Sequence, residues 1–202
     1  MDIRALAEKY EGYIIEQRRW FHAHPELSWE EFGTTDHIQE ELEKMGLEVH
    51  RFEGRPGCTA MIYGGKAVPG AKTVALRADI DALSMPEDEQ NLKGKKVCVS
   101  KVPGVCHACG HDGHTSMLLA AAKALTAHKD ALCGKIMFIF ESSEEMIATA
   151  TYPAIVEMLK QQKPDVIWGI HLYAMMKTGT VSVQPGPRMS GAGSFEIKII
   201  GR

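Results

Sequence analysis

Residues 73–81 read TVALRADID, residues 135–145 KIMFIFESSEE and residues 166–171 VIWGIH. Each stretch opens on a short apolar run rich in β-formers and closes on acidic or imidazole side chains. Apolar runs of this length without polar alternation are the pattern of strands buried on both faces, as in a parallel sheet covered by helices on each side. The intervening segments carry helical patterns: TSMLLAAAKALTAH at 115–128, and a second helix predicted over 152–161. Upstream, residues 2–22 and 34–45 place apolar side chains at helical spacing, the second run stopping at Gly46. Segments 47–52 and 58–63 supply two more short strands. Strands alternating with helices predict an α/β fold with a mostly parallel central sheet. Between 85 and 109 lies a long connection containing Pro86, Gly94, Pro103 and Gly104. Such a loop in a compact domain is functional or mobile, and partial disorder is expected around 91–96.

Composition narrows the function classes. The 202 residues are 45% hydrophobic, enough for one large domain with a buried core, or for one domain and a piece of another. The 23 basic and 26 acidic residues are interspersed and sum to a net charge of −3, which argues against a nucleic-acid partner. No stretch approaches the roughly 18 apolar residues of a membrane span, and the charged N-terminus does not resemble an export signal. The chain is therefore expected to be cytoplasmic. Five cysteines, Cys58, Cys98, Cys106, Cys109 and Cys133, are read as reduced thiols or metal ligands rather than a disulfide framework.

The chemistry-bearing residues cluster at predicted strand ends. Asp79 and Asp81 follow one strand, Glu144 and Glu145 a second, and His171 a third. If those strands are parallel, all five groups meet at the rim where open α/β sheets bind ligands. CHACGHDGH, residues 106–114, adds Cys109, His111, Asp112 and His114 directly before a helix. Carboxylates brought together in this way repel one another, whereas a divalent cation would neutralise them and hold thiolate and imidazole deprotonated. Taken singly, each piece has a plainer reading. A lone DxD is usually a turn or cap. The Cys106/Cys109 pair has the spacing of a thiol redox motif but lacks the βαβ opening, and a structural zinc site would show a second ligand pair close by. His22 and His24 are expected to end the first helix and satisfy its last carbonyls.

The series RRWFHAHPELSWEE (18–31), ALRADIDALSMPE (75–87), CHACGHDGHT (106–115), FIFESSEE (138–145), GIHLY (169–173) and GTVSVQPGPRMSGAGSFEIKIIGR (179–202) resembles, in order and spacing, the amidohydrolase branch of the M20 metallopeptidases. That branch includes N-acyl amino acid hydrolases, hippurate hydrolases, auxin-conjugate hydrolases and N-acetyldiaminopimelate deacetylases. The resemblance implies a three-layer α/β/α catalytic domain like that of the zinc exopeptidases. It implies two divalent ions (Mn, Zn, Co or Ni) on Cys109, His111, Glu145 and His171, with Glu144 as general acid/base. Asp79 and Asp81 match motif acids that orient a ligand imidazole, and Asp81 is carried with Glu144 among the catalytic candidates. The implied substrate is a small N-acylated amino acid and the implied assembly a homodimer. Residues 1–188 would form the metal-binding domain and 189–202 the first strand of a lid and dimerisation domain. In the family, the remainder of that domain carries a substrate-clamping His, and a returning segment completes the sheet and supplies a last metal-ligand His. Two local departures stand out. ESSEEMIATAT replaces the usual QPAEE and glycine-rich run, and Cys106 replaces a common Met, adding a thiol that can oxidise with Cys109.

Overall fold

The computed structural model describes residues 2–146, 151–189 and 197–201. Helix α1 (Ile3–Ala23) is capped by the Asp2 side chain, which accepts from the Ala5 N–H, and is followed by α2 (Phe32–Lys44). Strands β1 (Val49–Arg51), β2 (Cys58–Tyr63) and β3 (Thr73–Asp79) come next, then a hairpin of β4 (Gln90–Asn91) and β5 (Gly94–Lys95). Helix α3 (His111–Ala127), β6 (Lys135–Glu141), α4 (Thr151–Gln162) and β7 (Val166–Gly169) complete the order.

The main sheet runs β1-β2-β6-β3-β7. β3 is parallel to both β6 and β7, while β2 is antiparallel to β1 and β6, so four of the five strands point the same way. Parallel neighbours need crossovers, which α3 and α4 provide. The alternation of β6 shows why the sheet is covered twice. Phe138 and Phe140 face a core with Phe21, Ile38, Leu42 and Leu119, whereas Met137 and Ile139 face Ala75 and Met158 on the α4 side. The two fully buried phenylalanines contribute roughly 1.5–3 kcal/mol each through area removed from water. The result is a three-layer α/β/α fold.

The connection from β3 passes over one face and that from β6 over the other. Adjacent parallel strands whose connections diverge leave a crevice at their C-terminal ends, and this switch point is where α/β sheets bind ligands. Asp79 is the last residue of β3, and Glu144 and Glu145 lie just beyond β6.

Several expectations need correction. Residues 91–96, expected to be partly disordered, contribute to the hairpin, in which Gln90 pairs with Lys95 and Asn91 with Gly94. The helix predicted from 115 begins at His111, because Gly110 takes φ 89° as its N-cap and turns the chain four residues earlier. The strand expected to be buried at 166–170 is exposed: among the described residues β7 bonds only to β3, and Trp168 is 59% accessible. Its apolar character therefore marks a surface that its own helices leave uncovered. The strand expected after 189 lies largely outside the described residues; Ile197, Ile199 and Ile200 are exposed and not in a strand.

Candidate metal centre

Starting the helix at His111 puts His111 and His114 three residues apart on one face of its first turn, over the end of β3. Each imidazole is fixed by a carboxylate from that strand end. His111 Nδ1 donates to Asp81 Oδ1 at 3.1 Å, and His114 Nδ1 donates to Asp79 Oδ1 at 2.6 Å. Both aspartates are about 1% exposed. Their remaining valences are used as well. Arg77 Nη1 bonds Asp79 Oδ2 at 2.7 Å, while Ser28 Oγ and the Glu145 N–H donate to Asp81 Oδ2 at 2.7 and 2.9 Å.

With Nδ1 committed, the His111 lone pair sits on Nε2. That atom is fully buried and has no hydrogen-bond partner among the described residues. Around it stand Asp79 Oδ2 at 3.6 Å, Glu145 Oε1 at 3.7 Å, itself buried and without a partner among the described residues, and Glu144 Oε2 at 3.8 Å. Adjacent glutamates in an extended strand would point apart, but 144 and 145 lie in a turn, so both reach the same nitrogen. Cys109 Sγ lies 3.5 Å from His171 Nε2. One donor atom from each of Cys109, His111 and His171 falls within 4.8 Å of the others, and the same holds for His111, Glu144 and Glu145. The structure thus brings together Cys109, His111, Glu144, Glu145 and His171, with Asp81 behind His111. Asp79, His111 and His114 form a third such group, but both His114 nitrogens are engaged, Nε2 accepting from the Leu172 N–H at 2.8 Å.

The donor set fits a divalent cation. Counting only the protein's own charges, burial and then Glu145 push the Cys109 thiol up to about 12, and burial and then Asp79 raise the Glu144 carboxyl. These shifts share one cause, negative groups crowded at a partly dry rim, and a dication reverses it. A buried lone pair and a buried carboxylate oxygen, both without donors and aimed at one point, are the second sign.

The peptidase family M20/M25/M40 model matches residues 75–201. The chain belongs to that family. This M20 chain is 37% identical, over its full length, to an N-acyl-L-amino acid amidohydrolase of Geobacillus stearothermophilus, covering 52% of that protein. It is 38% identical over its full length to thermostable carboxypeptidase 1 of Saccharolobus solfataricus, covering 48% of it. The chain thus spans about half the length of the curated relatives it matches. Among solved structures, the YXEP protein of Bacillus subtilis, described as a dinuclear metal binding peptidase from the M20 family, superposes with a TM-score of 0.77 at 35% identity. That match covers 89% of this chain and 48% of the other. No helix among the described residues is long and apolar enough to cross a membrane.

One group of residues in this M20 chain plays a part that differs from its sequence reading. His24 does close α1, its Nδ1 bonding Trp20 O at 2.8 Å, but His22 does not. His22 is buried between Asp112 Oδ2 at 2.7 Å and Glu87 Oε1 at 2.9 Å, with Arg18 Nε also on Asp112 at 3.0 Å and Lys96 Nζ on Glu87 at 2.9 Å. These pairs tie α1 and the 85–109 loop to the first turn of α3, beside a cavity of about 410 Å³ whose lining includes Arg18, His22, Glu87 and His107. Although Glu87 is largely buried, the Ser100 N–H, Lys96 and His22 hold its carboxyl down to about 2, whereas Asp112 raises His22. Glu87 therefore contributes stability above the ordinary glutamate range that is lost as pH falls toward 2. The His22 contribution is present below its ordinary value of 6.5 and fades as pH rises through its raised folded value. Glu87→Gln is expected to lower Tm by several degrees at pH 5–6, with the gap to wild type closing as pH falls toward 2. Thermal melts across pH check this; a gap that stays constant or widens on acidification would contradict it.

Neither the bridging role of His22 nor the clamp of His114 on Leu172 is legible in the sequence. The HDGH spacing, which places 111 and 114 on one helical face, is the available signal for the second.

Proposed function

We propose that the chain carries the metal centre of a hydrolase that cleaves the amide bond of a small N-acylated amino acid. Cys109, His111, Glu145 and His171 would hold two divalent ions of the manganese, zinc, cobalt or nickel class, which when bound acidify water and stabilise developing oxyanion charge. The reading rests chiefly on His111 Nε2, a buried lone pair without a donor among the described residues, facing Glu144 and Glu145 and near the Cys109/His171 pair.

The chain's own residues divide the remaining work. Asp81 accepts the His111 Nδ1 proton, fixing the tautomer that leaves Nε2 free. Glu145 is anchored through its backbone N–H on Asp81, and its carboxylate is partly buried against His111. Glu144 has a side chain 42% accessible and so faces incoming molecules. It takes the proton of the attacking water and returns it to the amine nitrogen that leaves. The same reading makes residues 1–188 the metal-binding domain and 189–202 the start of a lid and dimerisation domain, in a cytoplasmic homodimer.

A second reading is binding of metal without turnover. The exposure of His171 and of β7 favours it, because that side of the rim is open to solvent. Assaying N-acetyl and N-benzoyl amino acids with added manganese or zinc separates the two. Hydrolysis that chelation abolishes supports the first reading, metal uptake without hydrolysis supports the second, and no uptake contradicts both.

A further inference from the structure

Glu31 is completely buried and is not a predicted ligand; it occupies the N-cap position of α2, yet its side chain makes no capping hydrogen bond to that helix. The first free N–H groups of α2, those of Gly33 and Thr34, are taken instead by Glu26 at 3.1 and 2.6 Å. The Glu31 carboxyl reaches across the molecule, and its Oε1 accepts the Ser143 N–H at 2.6 Å. Ser143 is one of only three non-glycine residues with positive φ among the described residues, at 62°. A non-glycine residue in that region is strained and persists where its surroundings hold it there. A second bond does so from the same loop: the Trp29 N–H donates to Ser143 Oγ at 2.9 Å.

The turn at Ser143 sets the directions of Glu144 and Glu145. If Ser143 relaxed to extended backbone, the chain would leave β6 straight, and the two glutamates would project to opposite sides. Held left-handed, it curls both carboxylates toward His111 Nε2 and sets the Glu145 N–H on Asp81. The loop that carries Glu31 also fixes the other wall, because Ser28 Oγ donates to Asp81 Oδ2. We propose that Glu31 is a positioning residue, holding Ser143 in its left-handed turn so that Glu144 and Glu145 converge on His111. This rests on the reading of 144 and 145 as members of the metal centre. Burial raises the Glu31 carboxyl to about 7, so near neutral pH much of it is uncharged, and glutamine is a close replacement.

Two measurements on the full chain test this. The first is amide hydrogen exchange by NMR on metal-free protein. Glu31→Ala is expected to speed exchange at Ser143 and Glu145 by about tenfold, the equivalent of one lost hydrogen bond, while Glu31→Gln, whose amide oxygen still accepts, stays near wild type. The second is titration with Mn²⁺ alone. Affinity is expected to fall at least about tenfold in Glu31→Ala, to be largely kept in Glu31→Gln, and to be unchanged in Leu42→Ala, a core variant at the other end of α2 from Glu31. If Glu31→Ala does not fold, Glu31→Asp, one methylene too short to reach Ser143, takes its place with the same expectations. Unchanged exchange at 143 and 145, or an equal loss of Mn²⁺ affinity in Leu42→Ala, overturns the proposal. Wild-type protein that shows the exchange pattern but binds no Mn²⁺ refutes the metal-centre reading and leaves the positioning role of Glu31 standing.

Discussion

His111→Ala is expected to abolish stoichiometric metal binding and to lower the stability of the metal-free protein by roughly 3–5 kcal/mol. Every group of candidate ligands among the described residues includes His111, so its loss leaves no complete donor set. The stability cost has a separate origin. His111 stands 3.1 Å from Asp81 and 3.6 Å from Asp79, and these carboxylates raise its pKa against the opposing effect of burial. Removing the ring leaves the buried Asp81 Oδ1 without its imidazole donor and empties a fully buried position. Metal analysis after dialysis and urea titration measure the two effects independently. Full metal occupancy in the variant would refute the ligand assignment, and an unchanged urea midpoint would refute the stability cost.

Glu144→Gln is expected to keep the metal and lose hydrolysis by about 10²–10⁴-fold, the usual worth of a positioned general base. The two adjacent glutamates are not equivalent. Glu145 is pinned through its backbone on Asp81 and buries Oε1, whereas Glu144 is the more accessible carboxylate. Glutamine preserves shape and removes only the proton acceptor. A base must be deprotonated to act. The acid limb of kcat/KM that this carboxylate produces should therefore be absent from the residual activity of the variant. Turnover in Glu144→Gln comparable with wild type would remove Glu144 from this role; loss of metal together with activity would make it a ligand.

The parts of the fold legible in the sequence are those written in short-range pattern. β6 and β3 are visible because a strand buried on both faces must be apolar throughout, and their terminal acids mark the rim. β7 carries the same pattern, and for that reason its exposure is invisible: hydrophobicity records what a segment can bury, not whether anything covers it. The start of α3 is misplaced by propensity because His, Asp and Gly are weak helix formers, and Gly110 in a left-handed N-cap outweighs them. The proposed ligands Cys109, His111, Glu145 and His171 can be named from motif and order. The residues behind them cannot. Glu31 on Ser143, Ser28 on Asp81 and His22 between Asp112 and Glu87 join residues 53–112 positions apart, and no local spacing encodes such pairs. The turn at Ser143 is hidden for a related reason, since serine gives no sign of a positive φ that only its long-range partners sustain.

Crystals soaked in Mn²⁺ and measured at the manganese absorption edge locate the bound cation directly. Anomalous peaks are expected within roughly 2.0–2.3 Å of His111 Nε2, Cys109 Sγ, Glu145 and His171, with Glu144 outside the coordination shell. Peaks elsewhere, or none at this rim with Mn²⁺ present in excess, would contradict the account.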